Sequence, residues 1–457
     1  MRVSKRSTWR SWLVWFAVSG ASLLLLGIGT VVTRQVQAAI EVRRELAEIR
    51  QAGQPIDDAS MAVWYQQKTH QEGTAIWNQI LHLAPQSASN YPDLDLLPLL
   101  GIAELPETIE PQQTWRQREV VEEFLEYCQP ILVLIVQAEA YPRPVWHPVA
   151  FSGFETSLSE LHASRSVIRL LQLEVEAALW SADAERALRG LRGMRITLEA
   201  FGFDSPIMLV ADLVNQAIEG VRLATIQRCL QCDLWTERQL AKLRSEIGPA
   251  WELEQRWQHV FRGERSMGLI SSEQAIQGRW AEELPPLFML RLPTTKRALL
   301  AWYRECEQLA STDPLELLEK ARVFDDRFRD GQQGSFTERS VALFVPAVKS
   351  YASAFVRSED LRRMTLAAVA VKQFQVQEGR WPGQLSELVK VGLGVADWSI
   401  VAGIPLGYQD GGDEASLWGY DLTNYGSTKP SIPAERPDPE ALNESGRSGS
   451  FHIAIIR

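Results

Sequence analysis

LRRMTLAAVAVKQFQVQEGRWPGQLSELV, residues 361–389, contains the sharpest change of pattern in the chain. Its first half has an amphipathic helical pattern, and Gly379 follows at the position where a left-handed residue ends a helix. Pro382 cannot continue that helix but suits the start of another, for which Leu385 and Leu388 supply an apolar face. The stretch therefore predicts a long helix that stops at Gly379 and a short helix after it.

The residues after this stretch have strand and turn signals. Two short apolar runs, GIPLGYQ at 403–409 and SLWGYDL at 416–422, are separated by the turn residues 410–413. This arrangement predicts a β-hairpin. The chain closes on FHIAIIR, 451–457, which we expect to form a third strand.

Upstream of this ending the chain is predicted to be almost entirely helical. The clearest pattern is a helical hairpin at 157–201, with Ser181 and Asp183 between its two apolar runs. Tetratricopeptide repeats have a similar form, but their period of about 34 residues is absent, so a repeat solenoid is only an alternative. Further helices are predicted at 115–128, 207–231, 237–262, 296–311, 315–329 and 340–378, the last with a break at Pro346 left open.

One segment is apolar enough to cross a membrane. Residues 11–33 carry no charge, and a span takes about 20 apolar residues. Trp9, Trp12 and Trp15 fit an interfacial aromatic belt. The alternative is a cleaved signal peptide with residues 36–38 as its cleavage site. Because the apolar core of a signal peptide is typically about 7–15 residues, we favour an uncleaved anchor.

The predicted architecture follows from this anchor. Residues 1–10 form a basic, acid-free tail that we place in the cytoplasm, although arginines after the span weaken the charge bias. The fold class is mainly α: residues 11–33 form a transmembrane helix, 34–355 an extracytoplasmic helical bundle, and 356–457 a small α+β module with a β-hairpin or three-stranded meander. The protein is thus expected to be a single-pass protein of the cytoplasmic (inner) membrane.

Composition narrows the classes of protein. A hydrophobic fraction of 46% is sufficient for a sizeable core. Acidic residues outnumber basic ones by 57 to 47, for a net charge of -10, which argues against nucleic acid as a partner. Four cysteines in 457 residues are too few for a disulfide scaffold.

The ending AVKQFQVQEGRWPGQLSELV, followed by IPLGYQ and LWGYDL, resembles the module after the long helix of major pseudopilins of type II secretion. In that family a helix ending Tyr-x-x-x-x-Gly-x-Tyr-Pro is followed by a small helix and a β-meander. Trp381 stands where a tyrosine is usual, and Gly383 departs from the usual Ser or Thr cap. The matching residues are Gly379, Trp381, Pro382, Leu385 and Leu388.

The wider chain is similar to single-span planctomycete membrane proteins with a helical body and this ending. AEIRQAGQPI (47–56), the 157–201 hairpin and RGERSMGL (262–269) fit that type. The resemblance implies an architecture and no activity. Because the N-terminal span lacks the Glu through which a pilin helix assembles, a filament subunit is not our leading interpretation.

The sequence predicts no catalytic, cofactor-binding or metal-binding residue, and no cofactor. The six histidines are scattered and form no HExxH or Glu-x-x-His pattern. Cys229 and Cys232 form a CxxC near a predicted helix C-terminus, where the helix dipole disfavours a thiolate. We interpret them as buried structural cysteines.

Two segments are candidates for binding. Arg143, Trp146 and His147 lie on a proline-stiffened extended stretch, RPVWHP, where a binding surface can form. A loop packed over the helical body is the alternative. Glu264 and Arg265 lie between the glycines of RGERSMGL, where an ion pair or a helix cap is the alternative to a site.

Three functional hypotheses follow. The leading one is a non-enzymatic protein-interaction or scaffold component of the cell envelope, in contact with the lipid bilayer through residues 11–33, with protein partners of unknown identity and no nucleic acid. The second is an envelope hydrolase with its site near His147 or Glu264, which a pocket gathering these residues would favour. The third, resting on analogy, is an accessory factor of a secretion apparatus.

Overall fold

The structure, a computed structural model, describes residues 6–85, 91, 93–106, 111, 112, 114–202, 207–250, 252–277, 292–331, 341, 347–401, 403–420 and 451–457. It confirms a mainly helical chain with a small antiparallel sheet near the C-terminus. The helices are α1 (Arg6–Gln51), α2 (Asp58–Gln66), α3 (Thr74–Leu83), α4 (Arg118–Tyr127), α5 (Gln129–Ala138), α6 (Ser159–Trp180), α7 (Ala184–Ala200), α8 (Leu209–Cys229), α9 (Glu237–Ile247), α10 (Leu253–Gln277), α11 (Leu292–Gln308), α12 (Pro314–Gly331) and α13 (Val348–Glu378).

Helix α1 contains the predicted span. It runs for 46 residues without a break and ends just before Gly53, whose φ of 69° is left-handed. Within the described residues it is the one helix long and apolar enough to cross a membrane, a test that an N-terminal signal sequence also passes. Apolar side chains stay exposed along α1 as far as Ile40, whereas Ala38 and Val42 are buried against the body.

The predicted helical hairpin is confirmed as α6 and α7. The side chain of Asp183 accepts a 2.9 Å hydrogen bond from the Arg186 N–H, which caps α7. The two helices approach closely because Gly193 faces Leu171, and a Cβ on Gly193 would lie 2.9 Å from the Leu171 Cδ2. The two helices of the hairpin therefore pack closely against each other.

The prediction of one helix at 237–262 is wrong. Its start is correct, because Thr236 and Gln239 form a reciprocal capping box. However, α9 ends at Ile247, and Gly248 adopts a left-handed φ of 79° directly before Pro249. Left-handed glycine followed by proline ends a helix, so the segment divides into α9 and α10.

The change of pattern at Gly379 is confirmed. Gly379 has a φ of 68°, and its N–H donates to the Gln375 carbonyl over 2.9 Å, which ends α13. The second helix differs from the prediction, because it is a 3₁₀ helix (Leu385–Val391) that begins after Pro382.

The strands form the predicted meander. They are β1 (Gly407–Asp410), β2 (Ala415–Tyr420) and β3 (Phe451–Ile456), paired antiparallel in the order β1-β2-β3. In the turn, the Gly412 N–H donates to Oδ1 of Asp410 over 2.8 Å. The predicted loop between β2 and β3 lies outside the described residues.

The C-terminal module packs onto the helical body. Leu388, Trp398 and Ile456 belong to the same continuous hydrophobic cluster as the body helices. The Arg457 N–H also donates to the Leu230 carbonyl after α8, over 3.0 Å. The predicted domain boundary at 355 and 356 falls inside α13, which contacts both the body helices and the sheet.

Candidate functional site

The proline-stiffened stretch is fixed to the body through its backbone. The His70 N–H donates to the Pro144 carbonyl, and the Trp146 N–H donates to the His70 carbonyl, each over 2.8 Å. The Val145 N–H donates to the Ala200 carbonyl at the end of α7, over 2.9 Å. The stretch therefore forms one wall at the C-terminal end of the α6–α7 hairpin.

Two of the sequence candidates on this stretch have structural partners. The Nε of Arg143 donates to the Glu199 carboxylate over 2.7 Å, and its Nη1 donates to the carbonyls of Glu139 and Tyr141. Trp146 is half-buried, and its carbonyl accepts a 2.8 Å hydrogen bond from the Thr74 hydroxyl. Both residues fasten the stretch to its neighbours.

His147, the third candidate, is only 3% exposed. Its ring stacks on Phe201 with the centroids 5.0 Å apart, and neither ring nitrogen has a hydrogen-bond partner among the described residues. Burial lowers the pKa of His147 to about 4, so the imidazole is neutral at pH 7. Its backbone N–H donates to the Tyr65 hydroxyl oxygen over 3.2 Å.

His147 lines a small cavity of about 70 Å³, which we name the His147 pocket. Five chain segments meet there: the end of α2, the 144–149 stretch, and the ends of α6, α7 and α8 nearest to it. Most of the wall is apolar. The apolar lining includes Val149, Leu158, Leu161, Phe201, Ile207, Met208 and Ala211.

Two residues of opposite charge line this pocket, Lys68 and Glu160. The Lys68 Nζ lies 5.1 Å from the centroid of the Trp64 ring, and no carboxylate of the described residues lies within ion-pair distance of it. Burial, and to a lesser extent the charge of Arg262, lowers the pKa of Lys68. Glu160 lies in the first turn of α6, where the helix dipole favours a negative charge.

A larger cavity of about 480 Å³ adjoins the pocket, and Lys68 lines both. Its arginines are paired with acids: Arg195 with Glu199 at 2.8 Å and Arg222 with Glu219 at 2.6 Å. A neighbouring carboxylate therefore offsets the charge of each of these two arginines.

The candidates Glu264 and Arg265 lie elsewhere, because neither lines the His147 pocket. The Glu264 carboxylate accepts a 2.8 Å hydrogen bond from the N–H of Leu209, the first residue of α8. Burial raises the pKa of Glu264 to about 7. Arg265 forms an ion pair with Glu307 and donates to the Gln54 side-chain oxygen over 2.6 Å. The structure thus gives Glu264 the geometry of a helix cap and Arg265 that of an ion pair.

The glycines of RGERSMGL explain why this segment packs so closely. A Cβ on Gly263 would lie 1.7 Å from the Ile207 carbonyl oxygen, and one on Gly268 would lie 2.7 Å from the Tyr303 hydroxyl. The segment therefore brings α10 against the start of α8 and against α11.

Sequence reasoning missed a buried polar network in which Asp212 on α8 is the central acceptor. Arg256 forms an ion pair with Asp212, the Tyr351 hydroxyl donates to its Oδ2 over 2.6 Å, and Gln216 Nε2 donates to Oδ2 over 2.8 Å. These side chains come from three different helices, α8, α10 and α13. No local spacing could have predicted their meeting.

The cysteines do not form a reactive or metal-binding centre in the described part of the chain. Cys229 is the last residue of α8, and burial raises its pKa well above the ordinary value. Cys229 and Cys232 are buried and form no disulfide, in agreement with the interpretation from sequence. The described residues contain no group of three or more His, Cys, Asp or Glu side chains placed to hold a metal ion.

Comparisons of the chain with protein-family models, curated proteins and solved structures find no match. The proposed function therefore rests on the geometry of the chain itself.

Proposed function

We propose that the protein is a single-span, membrane-anchored component of the cell envelope, whose extracytoplasmic helical body binds protein partners and acts as a scaffold. The observation that carries this proposal is the continuity of α1. One helix contains both the exposed apolar segment and a segment that packs on the body. The anchor and the body are therefore joined without a flexible linker.

The contacts between α1 and α11 support a fixed attachment. Gln35 Nε2 donates to the Thr294 hydroxyl over 3.3 Å, and Glu41 pairs with Arg297 at 3.0 Å. One turn further along, Glu45 forms an ion pair with Arg304. These contacts lie on one face of α1 and align it parallel to α11, so the span would hold the body in a defined orientation at the membrane.

The same contacts bear on the signal-peptide alternative. The cleavage site at residues 36–38 lies inside α1, and Ala38 is fully buried. Cleavage after Ala38 would also remove the contact between Gln35 and Thr294. Retention of the segment would keep this packing between α1 and the body.

The side-chain geometry supports binding rather than hydrolysis. A general base is normally oriented by a hydrogen-bonded partner, and His147 has none among the described residues. The Glu264 carboxylate binds the Leu209 N–H at the start of α8 and does not line the pocket of His147. The two positions considered for a hydrolase site therefore lie apart and do not form one catalytic cluster.

The test is affinity capture of the full chain from detergent-solubilised membranes. We expect one envelope protein or complex to co-purify reproducibly. As a control, the body from residue 39 onward would be secreted without the span, and its partner should be the same if the body makes the contact. Purification of the chain alone, together with a hydrolytic activity that His147→Ala abolishes, would overturn the proposal.

A further inference from the structure

We propose that the His147 pocket binds a small apolar zwitterion of the α-amino-acid class, with its carboxylate at Lys68 and its ammonium group at Glu160. The inference goes beyond the scaffold role. It rests on the two opposite charges of the lining, on an unpartnered buried imidazole, and on the apolar residues that form most of the wall.

Lys68 supplies the positive end of the site. Its ammonium group has no acidic partner in the described part of the chain, although it lines two cavities. Burial has the larger effect in lowering the pKa of Lys68, and the nearby positive charge of Arg262 lowers it further. An anionic oxygen placed against Lys68 would offset both the loss of hydration and the repulsion from Arg262.

Glu160 supplies the negative end. It is half-buried at the first turn of α6, and none of the hydrogen bonds or ion pairs between described residues engages its carboxylate. A ligand that carried only an anion would meet repulsion from Glu160, and one that carried only a cation would meet repulsion from Lys68. A zwitterion is the class that satisfies both residues.

His147 adds a hydrogen-bonding group deep in the pocket. A neutral imidazole has one N–H donor and one acceptor nitrogen, and both nitrogens of His147 are unpartnered among the described residues. A buried polar atom without a partner destabilises the folded protein, because it has lost its hydrogen bonds to water. A ligand carboxylate that accepts from the imidazole N–H removes part of this destabilisation.

The size and wall of the pocket limit the apolar part of the ligand. By the water-sized-probe measure, one water occupies about 10–15 Å³, so a cavity of about 70 Å³ has room for a short aliphatic side chain. Leu161, Ile207 and Ala211 contribute apolar surface to its wall. L-Leucine is the probe that matches this volume and polarity.

The pocket is also remote from the span. At 1.5 Å per residue, Val42 lies about 10 Å along α1 from Gln35, and His259 lies about 15 Å along α10 from Leu269, which packs on Val42. The ring of His259 contacts Trp64, on which Lys68 lies. The pocket therefore lies beside the first half of α10, whereas α1 packs on its second half.

The test is isothermal titration of the full chain in lipid nanodiscs. The probes are L-leucine, isoamylamine, which lacks the carboxylate, and 4-methylpentanoate, which lacks the ammonium group. We expect L-leucine to bind at least tenfold more tightly than either analogue, because each analogue lacks one of the two charge-assisted hydrogen bonds.

Substitutions test the contribution of each charged residue to binding. Lys68→Met and Glu160→Gln should each weaken L-leucine binding at least tenfold, whereas Lys68→Met should strengthen the weak binding of isoamylamine, because it removes the like charge. Lys242→Met is the matched control, because Lys242 pairs with Glu185 on the surface at 3.1 Å and is not part of the pocket. Circular dichroism of each variant checks that it folds.

Three results would overturn the proposal. One is the absence of L-leucine binding by the folded chain at about 10 mM, a concentration well above the Kd expected of a specific site. Another is an equal loss of binding in the Lys68 and Lys242 variants. The third is binding of either analogue as tight as that of L-leucine. None of these results depends on whether α1 is a membrane anchor.

Discussion

The carboxylate of Glu264, in the middle of α10, accepts a 2.8 Å hydrogen bond from the backbone N–H of Leu209, the first residue of α8. The first N–H groups of a helix have no partner within the helix, so this carboxylate supplies one from a second helix. Glu264 is only 5% exposed, and burial raises its pKa to about 7. The contact therefore joins two helices through a group that titrates near neutral pH.

Glu264 should make the stability of the protein depend on pH. Since its folded pKa of about 7 exceeds the ordinary value of 4.5, its contribution is fully present below pH 4.5 and is lost as pH rises through 7. Glu264→Gln keeps the accepting oxygen and removes the titration. We expect the free energy of unfolding of the natural chain to rise relative to this variant between pH 8 and pH 5, by an amount on the order of 3 kcal/mol.

Urea unfolding of both chains in one detergent at several pH values measures this difference, because other titrating groups cancel. A constant difference across the range would contradict the assignment of a raised pKa to Glu264.

The buried network around Asp212 should be much more sensitive than a surface ion pair. Asp212→Ala leaves the buried Arg256 charge without its acid, and we expect a loss of about 3–5 kcal/mol in the free energy of unfolding. Asp326→Ala is the matched control, because Asp326 is 49% exposed and pairs with Arg322 at 3.1 Å. That variant should lose less than about 1 kcal/mol. Equal losses in the two variants would argue against the network.

Two helical glycines should respond to alanine with opposite signs. Gly263→Ala would place a Cβ against the Ile207 carbonyl oxygen, and we expect a loss of at least about 1–3 kcal/mol. Gly220 on α8 has only the Leu361 Cδ2 nearby, at 3.9 Å, so Gly220→Ala should stabilise the helix by about 0.5–1 kcal/mol. Thermal unfolding of both variants tests this, and stabilisation by Gly263→Ala would disprove the close packing of α10 on the start of α8.

The fixed attachment of α1 predicts a specific cross-link. Cysteines placed at Gln35 and Thr294, whose side chains are 3.3 Å apart, should react rapidly with a short bifunctional thiol reagent. The pair of Ile40→Cys with Thr294→Cys is the control, because Ile40 is 62% exposed. Mobility on a denaturing gel reports the cross-linked loop. Similar yields for both pairs would show that α1 moves freely relative to α11.

Local patterns in the sequence predicted most of the helices and strands. Asp183, Thr236 and Gly379 mark their helix ends through side-chain caps and a left-handed glycine, and all three have this role in the structure. The division between α9 and α10 was missed, although Gly248 and Pro249 are a strong stop signal. There, the helical periodicity on both sides outweighed the local stop signal.

The pocket could not have been predicted from the sequence. Lys68, His147 and Glu160 are far apart in the chain or belong to different elements, and they share no motif. Only the packing of α2, the 144–149 stretch and α6 brings them together. His147 lies on the proline-stiffened stretch, but the residues around its ring depend on long-range contacts that periodicity does not encode.

The most direct test of the membrane-anchor proposal is the mass of the mature protein recovered from the membrane fraction of its native cell. We predict that the whole population is membrane-bound and that its mass includes residues 11–33, because α1 continues from the span into the packed body. A soluble protein whose first residue is Ala39 would contradict the account, since it would show that the apolar segment is removed as a signal peptide.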